Sequence, residues 1–375
     1  MTSQFELLSI IPKVAPSLED GVHERDNRDV FAAEQINLLR RERVYSALVP
    51  QDIGGGGARY SDMCAFLRQL AHHCPSTALA VSMHQHLVSA ALFNHRNGRP
   101  GVKVLERVAA DEAVLVSTGA NDWMDSNGTA RRVEGGYRIT ARKPFASGAP
   151  LGNILMTSAV SDESSGSQEV LHFPVPMASE GVSLLDDWKA MGMRSTGSHT
   201  VVLSDVFVPE EAIALRRPRG QFHPVWNTVI AVAMPLIMSV YVGVAESAAR
   251  KAQDLTLSRK GDPTIPFLLG EMNNALTAAQ LAVDDMIRLA ADLDFTPGLE
   301  LSSRMLTRKT LAARQVVATA EKALELAGGA GFYSAAGLER LLRDAHAAQF
   351  HPLPEKRQQA FTGRVLMGLD PISGA

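Results

Sequence analysis

The stretch DWKAMGMRSTGSHTVVLSDVFVPEE, residues 187–211, decides how the chain divides. Its second half, HTVVLSDVFVP, sets apolar and β-branched residues at alternate positions, the period-two pattern of a half-buried strand. Similar short runs lie upstream (AVLVSTG, GYRITA, NILMTSAV, EVLHFPV), parted by clusters of Gly, Asp, Ser and Asn. Together they predict an antiparallel β-barrel or sandwich over 112–215.

On both sides the apolar spacing becomes helical. Residues 1–111, with FAAEQINLLRRERVYSALV as the clearest run, form a predicted N-terminal helical domain. The turn PQDIGGGG at 50–57 lacks the Lys-Ser/Thr that completes a phosphate-binding loop and is expected to be a connector. Residues 216–375 hold helical periods at 227–260, 267–293, 300–327 and 336–348, jointed at Pro263, Pro266, Pro297 and the GGAG of 328–331. They predict a C-terminal four-helix bundle and an α+β multidomain fold.

Composition narrows the function classes. A chain of 375 residues exceeds one core, and its 46% hydrophobic and 21% charged content is that of a soluble enzyme. A formal charge of −3 without a basic face argues against nucleic acid. Cys64 and Cys74 have no metal-ligand spacing, so no metal is expected, and the N-terminus lacks a signal-peptide pattern; a reduced, cytoplasmic protein is expected. WNTVIAVAMPLIMSVYVGVA, 226–245, has the length of a membrane span and no charge, but Asn227, Pro235, Ser239 and several small residues dilute it. A buried bundle helix, and no membrane, is the expectation.

Several motifs, in order, resemble the acyl-CoA dehydrogenase superfamily: LVPQDIGGGG (48–57), GYRITARKPFASGAP (136–150), the Trp-x-x-x-Gly-Met-Arg-x-Thr-x-Ser pattern beginning at Trp188, ELAGGAGFY (325–333) and RDA (343–345). The resemblance implies a flavin between the strand domain and the bundle, and a homotetramer built on the C-terminal helices. A flavin ring needs hydrogen bonds at its nitrogens and carbonyls and an apolar or aromatic wall. Ser117, Thr118 and Ser147 are of the first type and Phe145 of the second. By the same resemblance Arg259 meets the cofactor's phosphate from across a subunit interface, and Glu325, Gly328 and Gly329 are assigned to the cofactor. Glu325 stands where relatives commonly place a Gln on the adenine half of FAD. Gly261-Asp262 after Arg259, and STGANDWMDSNG on the first strand, also depart from the family pattern, so FMN stands beside FAD as the expected cofactor.

A dehydrogenase of this family needs a carboxylate base. Counting from Arg343, its usual position falls on Pro352, beside His351; the alternative position on the first bundle helix falls on Ala233. Neither carries a carboxylate. A similar loss marks the superfamily's flavin-dependent monooxygenases, which include dibenzothiophene monooxygenase and the N-hydroxylases. They take reduced flavin from a separate reductase and pass one oxygen atom from its C4a-hydroperoxide to a substrate. His84, Ser147 and His351 look similar to that branch's active site. His86, two residues from His84, would point to another face of a helix. The expected function is therefore a two-component monooxygenase using molecular oxygen and reduced FMN or FAD on a small, largely apolar substrate. A divergent dehydrogenase with Glu355 as base, and a non-catalytic flavin- or partner-binding member, are the alternatives.

Overall fold

The computed structural model describes residues 6–119, 125–162, 168–259 and 261–372. Part of STGANDWMDSNG, residues 120–124, lies outside them. Helices α1 (Ile11–Glu19), α2 (Val22–Asn27), α3 (Ala33–Arg41), α4 (Tyr60–His73), α5 (Pro75–Arg96) and α6 (Val102–Asp111) come first. Cys74, in extended conformation, ends α4, and Pro75 at the first position of α5 needs no hydrogen-bond partner there.

Eight strands follow: β1 (Leu115–Ser117), β2 (Thr129–Val133), β3 (Gly136–Lys143), β4 (Ile154–Ser161), β5 (Glu169–Pro176), β6 (Val182–Leu184), β7 (Val201–Pro209) and β8 (Leu215–Pro218). They form one sheet in the order β6-β7-β3-β2-β4-β5-β8, with β1 also on β4. The expected antiparallel barrel needs correction on two points. The pairings of β1 and β2 with β4 are parallel, and the sheet is open, its path ending at β6 and β8. These end strands are three and four residues long, too short to offer each other a closing ladder.

The C-terminal part contains three long helices, α7 (Val225–Thr256), α8 (Ile265–Ala290) and α9 (Leu299–Ala327), then the short α10 (Leu338–His346) and α11 (Glu355–Leu366). Beyond the four helices expected, the described residues add a four-residue helical turn at Gly329–Phe332 and α11, because the chain turns at His351-Pro352-Leu353-Pro354 and starts again at Glu355. The candidate membrane span lies in α7, whose most apolar window is 94% buried. Packed by α4 and α5 as well as by α8 and α9, it is apolar all round as a core helix should be. Gly243 permits the crossing with α4: a Cβ there would lie 2.2 Å from the carbonyl oxygen of Arg68. One apolar cluster runs from Leu7 through the sheet to Phe361.

Candidate active site

A cavity of about 820 Å³ opens where α5, the ends of β1 and β3, α7 and the α10–α11 connection meet. Backbone hydrogen bonds stitch three segments of its wall together. The Gly119 N–H donates to Pro144 O (3.2 Å), Ala146 N–H to His199 O (3.3 Å) and Gly148 N–H to Thr196 O (2.9 Å). Phe145, between them, takes a left-handed backbone conformation (φ 59°) that non-glycine residues rarely adopt; the residue is 59% exposed and its ring sits edge-on to Trp188.

The fourth wall depends on the Gly-Met-Arg and Arg-Asp-Ala motifs meeting. A Cβ on Gly192 would fall 2.3 Å from the Arg343 carbonyl oxygen, so α10 and this loop touch backbone to backbone. The buried Asp344 carboxylate accepts the Met193 N–H (2.5 Å), while Arg343 donates to Met191 O (2.9 Å) and Asp26. Burial lifts the Asp344 carboxyl to about 6 against the pull of nearby Arg340.

Ser117, Thr118, Phe145 and Ser147, all expected to face the flavin, line this cavity together. The Ser147 hydroxyl lies 2.7 Å from that of Ser198, which lies 2.7 Å from that of Thr196; Thr196 donates to Met193 O (2.9 Å). With the last proton committed to a carbonyl, the chain runs one way and Ser147 donates to Ser198, leaving its own oxygen to accept from the cavity. Ser117 Oγ, Asn127 Oδ1 and His86 Nδ1 are buried without a hydrogen-bond partner among the described residues. All three residues line the cavity. Unsatisfied buried polar atoms are rare, and three around one cavity fit a polar, ring-shaped occupant such as a flavin.

His351 also lines the cavity, with Nε2 2.7 Å from the Tyr241 hydroxyl oxygen. Burial, then the neighbouring Lys309 and His86, depress its pKa to about 3, and burial keeps the Tyr241 phenol protonated. The pair is neutral at physiological pH.

His84 is placed elsewhere. It lies behind the wall, its Nε2 2.9 Å from Tyr45 O and its Nδ1 accepting the Leu115 N–H (3.0 Å). Both nitrogens are committed, and burial lowers its pKa to about 3. Its neighbour His86, lowered by burial to about 4, reaches the cavity instead. Residues two apart on a helix lie about 200° apart, so only one of the pair can face a given side.

The remaining assigned cofactor residues gather at the far end of α9, away from this cavity. Arg259 Nη1 donates to Leu326 O (3.3 Å) and Ala327 O (3.4 Å) and sits over Gly328, which Gly329 follows. Glu325 pairs with Lys322 (2.9 Å). Glu355 lies off the cavity wall, its carboxylate held by Arg314 Nε at 2.8 Å. The arginine, with burial acting weakly against it, keeps that carboxyl ionised down to about 2. The sequence marks His86 only as facing away from His84 and does not single out Tyr241 or Asn127; the i, i+2 histidine pair is the available signal.

Family models for the acyl-CoA dehydrogenase N-terminal and C-terminal domains match residues 13–112 and 236–355. The amino sugar nitrososynthase DnmZ of Streptomyces peucetius is 29% identical over 92% of this chain and 89% of its own. Dibenzothiophene monooxygenase of Rhodococcus erythropolis is 24% identical over 94% and 91%. A solved structure of KijD3 in complex with FMN and dTDP-3-amino-2,3,6-trideoxy-4-keto-3-methyl-D-glucose superposes with a TM-score of 0.89 at 25% identity, covering 100% of this chain and 96% of that one. The order of the motifs, the fold and these matches agree: the chain belongs to the acyl-CoA dehydrogenase superfamily.

Proposed function

We propose that the chain is a two-component flavin-dependent monooxygenase that receives reduced FMN or FAD from a separate flavin reductase and acts on a small, largely apolar substrate. The observation that carries this reading is local. Both positions at which the resemblance puts a dehydrogenase base, Ala233 and Pro352, line the cavity and carry no carboxylate. The acidic side chain that lines it among the described residues, Asp187, accepts the Thr200 N–H (2.9 Å). Burial, the largest single influence, would raise its pKa, but the hydrogen bonds from Thr200 and from its own backbone, with His199 nearby, together lower it, which makes it a weak base.

Bound reduced flavin supplies the activation of molecular oxygen and the transfer of one oxygen atom. The protein's contribution is a dry cavity with neutral groups at fixed places. Phe145 would wall the ring, Ser117, Thr118 and Asn127 would hold it by hydrogen bonds, and Ser147 would present an acceptor. His351, backed by Tyr241, holds or moves a proton at its ring nitrogens, with His86 as the second cavity histidine. His84 takes a positioning role: through the Leu115 N–H it ties α5 to β1 two residues before Ser117.

Arg259, Glu325, Gly328 and Gly329 would serve the cofactor of a neighbouring subunit. Leu257, Phe267, Phe332 and Tyr333, exposed in the segments flanking Arg259 and Gly328, support a homotetramer assembled on this end. Both cysteines are free and buried, as the cytoplasm favours.

The reading is tested by feeding the protein reduced FMN from a reductase, under labelled oxygen, with a panel of apolar amines and sulfides, and by offering butyryl-CoA with an artificial electron acceptor. Label in an organic product and no thioester oxidation are expected. Thioester oxidation independent of oxygen would overturn it.

A further inference from the structure

His351 stands in a segment that cannot hold itself in place. Pro352 and Pro354 have no N–H to return to the preceding turn, so neither can continue the turn that ends with the Phe350 N–H on Ala347 O. One side chain from another helix donates to two carbonyls of this segment. Lys309, on α9 and 1% exposed, donates through Nζ to Leu353 O (3.2 Å) and Gln349 O (3.4 Å), the residues two before and two after His351.

This lysine is costly where it is. An ammonium group removed from water needs compensation, and among the described residues no carboxylate lies within ion-pair distance of it. Glu355, the carboxylate whose charge reaches it, is spent on Arg314. A methionine would fill the same volume without that penalty. The two carbonyls are the partners that account for a buried lysine at this place.

We infer that Lys309 is a positioning residue: by bridging the backbone on either side of His351 it fixes that imidazole on the cavity wall, within reach of Tyr241. The consequence for catalysis rests on the monooxygenase reading above; the placement of His351 does not. Burial pushes the Lys309 amine down to about 8, in line with its low exposure, and leaves it a donor in either protonation state.

The test uses the full chain and diethylpyrocarbonate, which modifies neutral, accessible imidazoles, with peptide mass spectrometry to follow each histidine. In Lys309→Met, His351 should be modified about tenfold faster than in the wild type, as expected when one segment opens locally. His84 and His172, both held by their own partners, should keep their wild-type rates. Lys309→Arg, which retains donors, should restore slow modification of His351. An unchanged His351 in folded Lys309→Met, or equal acceleration at all three histidines, overturns the inference. Should Lys309→Met not fold, Lys309→Gln, with two hydrogens on one shorter arm, is read the same way and should give a smaller rise confined to His351. Reoxidation of bound reduced FMN, followed in parallel, reports on the flavin reading separately: if wild-type protein binds no flavin, that reading fails while the histidine rates still decide the role of Lys309.

Discussion

The Nε2 of His351 and the hydroxyl oxygen of Tyr241 are 2.7 Å apart, joining the proline-interrupted connection after α10 to the core helix α7 at the cavity wall. A buried phenol and a buried imidazole, both neutral, can exchange one hydrogen bond's direction without creating charge. Loss of the imidazole should therefore matter more than loss of the phenol. His351→Asn is expected to lower oxygen transfer by about 10²-fold, within the usual range for a proton-handling group. Tyr241→Phe should lower it only about fivefold, the scale of one neutral hydrogen bond. The ratio of product to hydrogen peroxide, measured with reduced FMN in excess, checks both.

Ser117 gives a prediction in which stability and binding move apart. Its hydroxyl is buried with no hydrogen-bond partner among the described residues, so Ser117→Ala should leave the thermal midpoint unchanged or raise it slightly. Flavin binding should weaken about fivefold, the loss of one hydrogen bond. Fluorescence titration with FMN and a melting curve on the same sample suffice.

Stability should fall on mild acidification. The folded-state pKa values of His84, His172 and His351 are lowered by burial to about 3, and that of His86 to about 4, from 6.5. The unfolded chain then binds more protons than the native one, so the contribution of these groups is intact above pH 6.5 and is lost as pH falls from there toward 4. Asp344, raised from 3.8 to about 6, and Glu112, raised by burial, work in the opposite direction over that interval, two carboxyls against four histidines, to which His23 and His223, also lowered by burial, add. Urea denaturation at pH 7.5 and pH 5.5 should show the lower stability at pH 5.5.

Gly192→Ala should be strongly destabilising, by about 2–4 kcal/mol, because a methyl group cannot fit 2.3 Å from a backbone oxygen without parting α10 from the cavity loop. Denaturant titration measures this directly. Glu355→Gln, by contrast, should leave oxygen-dependent flavin turnover unchanged, since its carboxylate is on Arg314 and off the cavity.

What was legible in the sequence follows from where periodicity carries information. The strand–helix alternation and the Gly192–Arg343 motifs announced the layout, and two prolines marked the place of His351. Closure of the sheet was not legible, because strand patterns do not say whether the end strands reach each other. Nor was the choice between His84 and His86: α5 is buried nearly all round, so no polar face shows which side meets the cavity. Tyr241 was hidden in the same way within α7. Lys309 carries no signal in the sequence, since a buried amine is told from an exposed one only by the carbonyls it reaches.

Rapid mixing shows whether this cavity makes bound reduced flavin react productively with oxygen. Protein loaded anaerobically with reduced FMN is mixed with oxygenated buffer and followed by absorbance. A long-lived species distinct from both reduced and oxidised flavin, shortened in His351→Asn, is the predicted result. Featureless reoxidation with the same rate in wild type and His351→Asn, with and without candidate substrates, would contradict the account.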